Sequence, residues 1–339
     1  MGSKFGWFLA ASLVLGVVAI VVFRLVFPQP TEPDKTRDKE LLAFKSVDFW
    51  PAAAAGPKPT GEGDAGNDYW DAVQVSEGKF KALADIYQTF GERNYVIPPE
   101  SMGFMKKVHE HVVKGAQRAS ATYATRFPEE IRVAPGFFPA RGLKRVADVL
   151  FFLYMYYYYQ KDYDRAEAIN RDMFTMGWHL FNERGHANIA MVGLQMQVIS
   201  LGGFEQLYKN TPAKKNPDAA GAEKKYWQQL KAIRQQYVTK MEILNSRQPH
   251  TGDLFNIAEN DGDHGWRIQA VQMLGVVKFT AGRRGDQRYI RKLISRFSQS
   301  DDELLRAAAK AAGEFTQEDF DAYSVPVLTE WPPGVEHYD

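Results

Sequence analysis

The sequence contains no cysteine among its 339 residues. This absence excludes disulfide bonds, zinc sites with cysteine ligands, iron–sulfur clusters and catalysis by a thiol. A marked charge excess is also missing, because 42 lysines and arginines stand against 41 aspartates and glutamates. Proteins that bind nucleic acids usually carry a clear basic excess, so we expect no nucleic acid among the partners.

Recognised catalytic motifs are missing as well. The sequence has no Walker A string, no G-x-S-x-G and no H-E-x-x-H. Gly61 to Gly66 match G-x-G-x-x-G, but no apolar strand precedes them, and a dinucleotide-binding loop needs a strand-to-helix turn. We therefore predict that the protein is not an enzyme and that it has no catalytic residues, no cofactor and no bound metal.

A long apolar run opens the sequence. Phe5 to Phe23 are 19 residues without a charged side chain, which as a helix would span roughly 28 Å, close to the thickness of a bilayer core. A cleaved signal peptide is the alternative, since Lys4 precedes the run. The run exceeds a usual signal core and no A-x-A site follows, which favours a retained anchor. The anchor residues are Trp7, Phe8, Leu13, Leu15, Ile20 and Phe23.

The sidedness of this predicted anchor rests on two opposing signals. The basic residues that follow the run favour a cytoplasmic body: Arg24, Lys35, Arg37 and Lys39. The very short segment before the run instead favours export of the rest of the chain. We predict a single-pass protein of a bacterial-type inner membrane with its body on the extracytoplasmic side.

Composition divides the rest of the chain. The predicted units are an anchor (1–27), a linker (28–67), a helical domain (68–250), a repeat region (251–323) and an extended tail (324–339). The linker holds six of the 17 prolines but also an apolar island, residues 41–50. Phe44, Phe49 and Trp50 would have no contacts in a pure spacer, so we expect this island to dock on the body or on a neighbouring subunit.

The remaining pattern is helical. From Tyr69 onward, apolar residues follow i, i+3, i+4 spacing, which predicts an all-α body. The predicted helices cover 68–92, 100–124, 143–160, 163–183, 186–202, 218–245, 253–260, 265–280, 286–298 and 301–314. Leu150, Leu153 and Tyr157, followed by a short turn and Ala166, resemble a tetratricopeptide helix pair over about 147–180 and imply an antiparallel hairpin.

A second pattern repeats near the end of the chain. Four positions recur after 38 residues: Asp263, Ala270, Leu274 and Gly275 return as Asp301, Ala308, Ala312 and Gly313. With Arg267, these residues resemble the second helix of HEAT-type repeats. The resemblance implies an α-solenoid-like body, an architecture that commonly binds other proteins.

Two clusters suggest alternatives. His179 and Glu183 are four residues apart on a predicted helix, and His186 follows, so a metal-dependent enzyme using these three is the second hypothesis. The run from Phe151 to Tyr159 is aromatic or apolar throughout. It predicts either a buried core helix or a surface for a partner or a small ligand, such as a cell-wall component.

The favoured function is a membrane-anchored helical-repeat scaffold or accessory subunit. It would bind other protein subunits, in a larger membrane complex, and the lipid bilayer through its anchor. Beyond the island at 41–50, the predicted contacts lie in an irregular loop, a basic stripe and the tail. Their residues are Phe137, Phe138, Arg284, Arg288, Arg291 and Trp331.

Overall fold

The structure is a computed structural model that describes residues 39–89, 97–123, 140–211, 216–245, 250–280 and 284–322. Its helices are α1 Lys39–Leu42, α2 Ala52–Ala55, α3 Gly66–Ser76, α4 Phe80–Thr89, α5 Pro99–Ala116, α6 Ala140–Tyr159, α7 Tyr163–Glu183, α8 Ala187–Asn210, α9 Pro217–Asn245, α10 Thr251–Asn260, α11 His264–Thr280, α12 Arg284–Phe297, α13 Glu303–Glu314 and α14 Gln317–Ala322. The expected all-α class is confirmed. The predicted anchor (1–27) and tail (324–339) lie outside the described residues.

Two short strands interrupt the helices. Gly61–Asp64 (β1) pairs in parallel with Arg118–Ser120 (β2). A Cβ on Gly61 would lie 2.3 Å from the carbonyl oxygen of Gln117, so only glycine allows this approach. Gly61 is therefore required by a strand contact. The first four residues of the G-x-G-x-x-G string form β1 itself and Gly66 begins α3, so the string is not a loop that follows a buried strand.

Several helix boundaries differ from the sequence prediction. The expected helix over 68–92 is two helices, α3 and α4, because the chain turns at Gly78 with φ of +70°, a conformation that glycine adopts without strain. The expected helix over 100–124 ends at Ala116, where the chain enters β2. The expected helix over 186–202 continues to Asn210.

The predicted hairpin over 147–180 is formed by α6 and α7, which pack on each other. Asp162 caps α7 by accepting a hydrogen bond from the backbone N–H of Arg165, and Lys161 makes the turn with φ of 60°. The methyl group of Ala166 is fully buried. A small residue there lets the second helix lie close to the first.

A close backbone contact joins α7 and α8. A Cβ on Gly193 would lie 2.6 Å from the carbonyl oxygen of Gly177 and 2.6 Å from the backbone nitrogen of Phe181. Within the described residues α8 alone is long and apolar enough to cross a membrane, but 89% of that stretch is buried inside the protein. It is therefore positioned as a core helix, surrounded by other helices.

Candidate binding cleft

The last three long helices enclose a cleft. It lies between α11, α12 and α13 and has a volume of about 590 Å³. The residues that line it are Lys278, Phe279, Gln287, Arg291, Ile294, Ser295, Ser298, Ala309, Lys310, Gly313 and Glu314. A concave site of this size with mixed polar and apolar walls is typical of a ligand-binding position.

Helical periodicity explains how α12 contributes to this cleft. Its buried residues, Ile290, Leu293, Ile294 and Phe297, form the apolar face that packs on the neighbouring helices. Gln287, Arg291 and Ser295 follow one another at four-residue spacing and form a polar ridge beside that face. The sequence of α12 thus builds a wall with an apolar base and a polar rim.

The second wall, α13, begins at a capped terminus. Asp302 accepts hydrogen bonds from the backbone N–H groups of Leu304 and Leu305. Small side chains let α13 lie close to α11, since a Cβ on Gly275 would be 2.8 Å from Cα of Ala312. Lys310 and Glu314 extend from the exposed side of α13, with Nζ and Oε1 3.9 Å apart.

The electrostatics of the cleft are dominated by cations. Lys278 donates hydrogen bonds of 2.9 Å to the carbonyl oxygens of Ala312 and Gly313, at the end of α13. Burial lowers the pKa of Lys278, and the nearby positive charge of Arg291 lowers it further, against the opposing effect of Asp319. Arg291 is exposed, and no carboxylate pairs with it among the described residues.

The predicted basic stripe is therefore split by the structure. Arg291 lines the cleft, whereas Arg288 is exposed on α12 away from the lining. Arg284 is the first residue of α12, but its side chain lies outside the described atoms. The loop residues Phe137 and Phe138 and the tail residue Trp331 also lie outside the described residues.

The described part of the predicted linker lies on the helical body. Gln236 of α9 donates hydrogen bonds to the carbonyl oxygens of Leu41 and Ala43. Phe44 is 49% exposed yet contacts Gly262, and the guanidinium of Arg184 lies 5.0 Å from its ring centre. The apolar island therefore makes intramolecular contacts.

Two further aromatic residues of the island continue these contacts. Phe49 lies 4.4 Å from the Nζ of Lys225, and Trp50 packs edge to face on Phe174 and Trp178 of α7. Both rings are partly buried. Their contacts with α7 and α9 leave only part of each ring exposed for any further contact.

The three residues of the metal hypothesis are not brought together. His179 meets the hydroxyl of Tyr69 through Nδ1 at 2.6 Å, while His186 caps α8 and lies near Gln272. Within the described residues, no group of three or more histidines and carboxylates could hold a metal ion. Burial lowers the pKa of each of these histidines to about 4, so both are neutral core residues at neutral pH.

The aromatic run is a buried core helix in its first half and partly exposed in its second. Phe152, Leu153, Tyr154 and Met155 are buried, and the hydroxyl of Tyr154 donates to the carbonyl oxygen of Gly203. Tyr156, Tyr157 and Tyr158 are partly buried, and Tyr159 is 47% exposed. The first half of the run is core, and the last turn of α6 presents aromatic rings at the surface.

A buried charged cluster joins α7, α9 and the start of α11. Arg184 and the hydroxyl of Tyr237 both donate to Asp263, at 2.8 Å and 2.5 Å. Lys240 and Asp261 form a fully buried ion pair with Nζ and Oδ2 2.6 Å apart. Burial lowers the pKa of Lys240 and raises that of Asp261 to about 6. Each charged side chain in this cluster lies beside one of opposite charge, as expected of buried ion pairs that connect helices.

Sequence reasoning missed two of the cations in the cleft, Lys278 and Lys310. The four-residue spacing of Gln287, Arg291 and Ser295 is a signal that could have identified the wall formed by α12. No local signal identifies Lys278, because its role depends on the end of another helix 34 residues further along. No family model, no curated protein and no solved structure matches the chain.

Proposed function

We propose that the protein is a single-pass, membrane-anchored helical-repeat scaffold, an accessory subunit that binds another protein in a membrane complex. In this proposal it supplies a binding surface and carries out no reaction of its own. The anchor is the apolar run Phe5 to Phe23, the body lies on the extracytoplasmic side of a bacterial-type inner membrane, and the body is solenoid-like.

Two successive helix pairs support the repeat interpretation. The pairs are α10–α11 and α12–α13, and each second helix starts at an aspartate, Asp263 or Asp302. These caps are 39 residues apart, one more than the offset read from the sequence. At this offset Arg267 aligns with Arg306, and each donates to carbonyl groups that precede its own helix. The shared arrangement is consistent with HEAT-like repeats.

The observation that carries the proposal is the cleft between α11, α12 and α13. Stacked helix pairs place their second helices along one side, and such surfaces bind extended partners. Here the two second helices, α11 and α13, are in contact at Gly275 and Ala312, and the cleft opens beside that contact. Its lining includes exposed polar groups and an apolar base, as binding surfaces do.

The support for the proposed anchor comes from the apolar run in the sequence, and α8 is not a competing candidate. In the described residues the one helix of sufficient length and apolarity is α8, whose surroundings are already filled by α7 and α9. A helix that is 89% buried in protein has no face left for lipid. Phe5 to Phe23 are the other long apolar segment.

The test is purification of the tagged full chain from its native membranes in mild detergent. We expect a second polypeptide to elute in a fixed ratio, and we expect chemical crosslinks between that polypeptide and lysines of α11 to α13. A chain that elutes alone and monomeric at native abundance would contradict the scaffold function. Protease treatment of cells with opened outer layers and an intact inner membrane tests the sidedness, since only an extracytoplasmic body is then digested.

A further inference from the structure

We propose that the cleft between α11, α12 and α13 binds an acidic peptide segment with apolar side chains, contributed by a partner protein. This proposal rests on the scaffold function and adds the chemistry of the partner. It assigns Arg291 and Lys310 as the residues that select for acidic side chains.

The charge of the residues that line the cleft favours an acidic ligand. Three cations face the cleft, Lys278, Arg291 and Lys310, against one carboxylate, Glu314. Lys278 is held at the carbonyl groups that end α13, and it is partly buried. Arg291 and Lys310 are exposed and therefore able to reach a ligand. A guanidinium offers a paired hydrogen-bond geometry that matches a carboxylate.

The base of the cleft favours a ligand that also has apolar side chains. Phe279, Ile294 and Ala309 contribute apolar surface below the charged rim. A peptide that alternates acidic and aliphatic side chains satisfies both parts of such a site. A nucleic acid does so less well, because a phosphate backbone has no aliphatic side chains for the apolar base and the chain as a whole has a net charge of only +1.

The experiment measures fluorescence anisotropy with the detergent-purified full chain. The probe is a short fluorescein-labelled peptide of repeated Glu-Glu-Leu, and the comparison peptide has glutamine in place of each glutamate. We expect the acidic peptide to bind and the neutral peptide to bind at least about tenfold more weakly, a ratio that corresponds to ~1.4 kcal/mol. Equal binding of the two peptides would overturn the proposal.

Charge-reversal variants locate the binding position. The test variant is Arg291→Glu with Lys310→Glu, and the matched control is Arg288→Glu with Lys292→Glu. Arg288 and Lys292 are exposed on α12 but do not line the cleft, so both double variants change the net charge equally. We expect a loss of about tenfold or more in the test variant and less than about twofold in the control. Equal losses would mean non-specific attraction and would overturn the proposal.

The experiment also distinguishes two other possible ligands of the cleft, a nucleic acid and the chain's own C-terminal segment. Tighter binding of a single-stranded thymidine oligonucleotide than of the acidic peptide would overturn the proposal in favour of nucleic acid. The chain's own residues 323–339 contain three acids and no lysine or arginine. If Glu330→Lys, Glu336→Lys and Asp339→Lys together tightened peptide binding more than about tenfold, the cleft would belong to this segment, contrary to the proposal.

The scaffold function and this inference fail in different ways. A partner that still co-purifies with the Arg291→Glu, Lys310→Glu variant leaves the scaffold function intact and overturns the role of the cleft. Circular dichroism on the same variants checks folding. Both substituted residues are exposed, so we expect the helical signal to be unchanged.

Discussion

The central helices α7 and α8 pack on each other through different side chains from those used by the C-terminal helices α12 and α13. In the central pair, Gly177 and Gly193 let the two backbones touch, and α8 is buried on nearly every side. In the C-terminal pair, each helix buries one apolar face and exposes a charged one. The central pair is therefore constrained by close backbone contact, whereas the C-terminal pair leaves a charged face exposed to solvent.

The buried ion pair between α9 and the segment before α11, which lies in neither pair, should respond most strongly to mutation. In Lys240→Met the carboxylate of Asp261 would stay buried without its partner, and such a loss costs about 3–5 kcal/mol. Urea unfolding followed by circular dichroism measures the change. Lys224→Met is the control, because Lys224 is exposed on the same helix. Equal effects of the two substitutions would contradict a structural role for the ion pair.

The pH dependence of stability should report on the buried histidines. The pKa of His186 is about 4 in the folded protein, below its ordinary value of 6.5, because burial disfavours the charged form. The unfolded chain therefore takes up the proton first as the pH falls. We expect the contribution of His186 to stability to be fully present above pH 6.5 and to fall by about 3 kcal/mol as the pH approaches 4.

His186→Asn tests this assignment. Asparagine can also cap α8 by accepting from the N–H of Asn188, and it does not titrate in this range. The decline in stability between pH 6.5 and 4 should become shallower in this variant. His250→Asn removes an exposed histidine and is the control. An unchanged slope in His186→Asn would show that other groups cause the decline.

The glycine contact of the central pair should give the next largest effect. Gly193→Ala places a Cβ 2.6 Å from two backbone atoms of α7, so the helices must separate, and overpacking of this kind costs about 1–3 kcal/mol. Gly103→Ala has the opposite expected sign. Nothing lies within 4 Å of a Cβ there, and alanine is favoured over glycine inside a helix by about 0.5–1 kcal/mol.

The cap of α13 should give the smallest effect. Asp302→Ala removes two hydrogen bonds to the start of the helix and the contact with His264, at a cost of about 0.5–2 kcal/mol. Asp301→Ala is the matched control, because only the backbone carbonyl of Asp301 is used, by Arg306. A larger effect at Asp301 than at Asp302 would indicate that Asp301 is the capping residue, as the 38-residue sequence pattern predicts.

Local patterns predicted much of the fold. Apolar spacing identified most of the long helices, and the short turn between α6 and α7 was also predicted. The break at Gly78 was missed because a glycine inside a helical pattern is often tolerated. The cap of α13 is Asp302 and not the adjacent Asp301 of the sequence pattern, and only the hydrogen bonds distinguish the two.

Contacts between distant segments were beyond such patterns. Trp50 and Phe174 are far apart in sequence, so the sequence could not predict that they pack on each other. It left open whether the apolar island docks on the helical body or on a neighbouring subunit. The same limit applied to the cleft, whose cations come from three helices. His179 and Glu183 were correctly assigned to one helix, yet the environment of His179 depends on Tyr69.

Residue order and side-chain type were enough to define the helical class, the apolar N-terminal run and the balance of charge, because these are properties of short windows or of totals. Which charges are buried in pairs and which face an open cleft followed only from the folded chain. The reason is physical, since burial and ion pairing depend on distances between helices that the local chain does not encode.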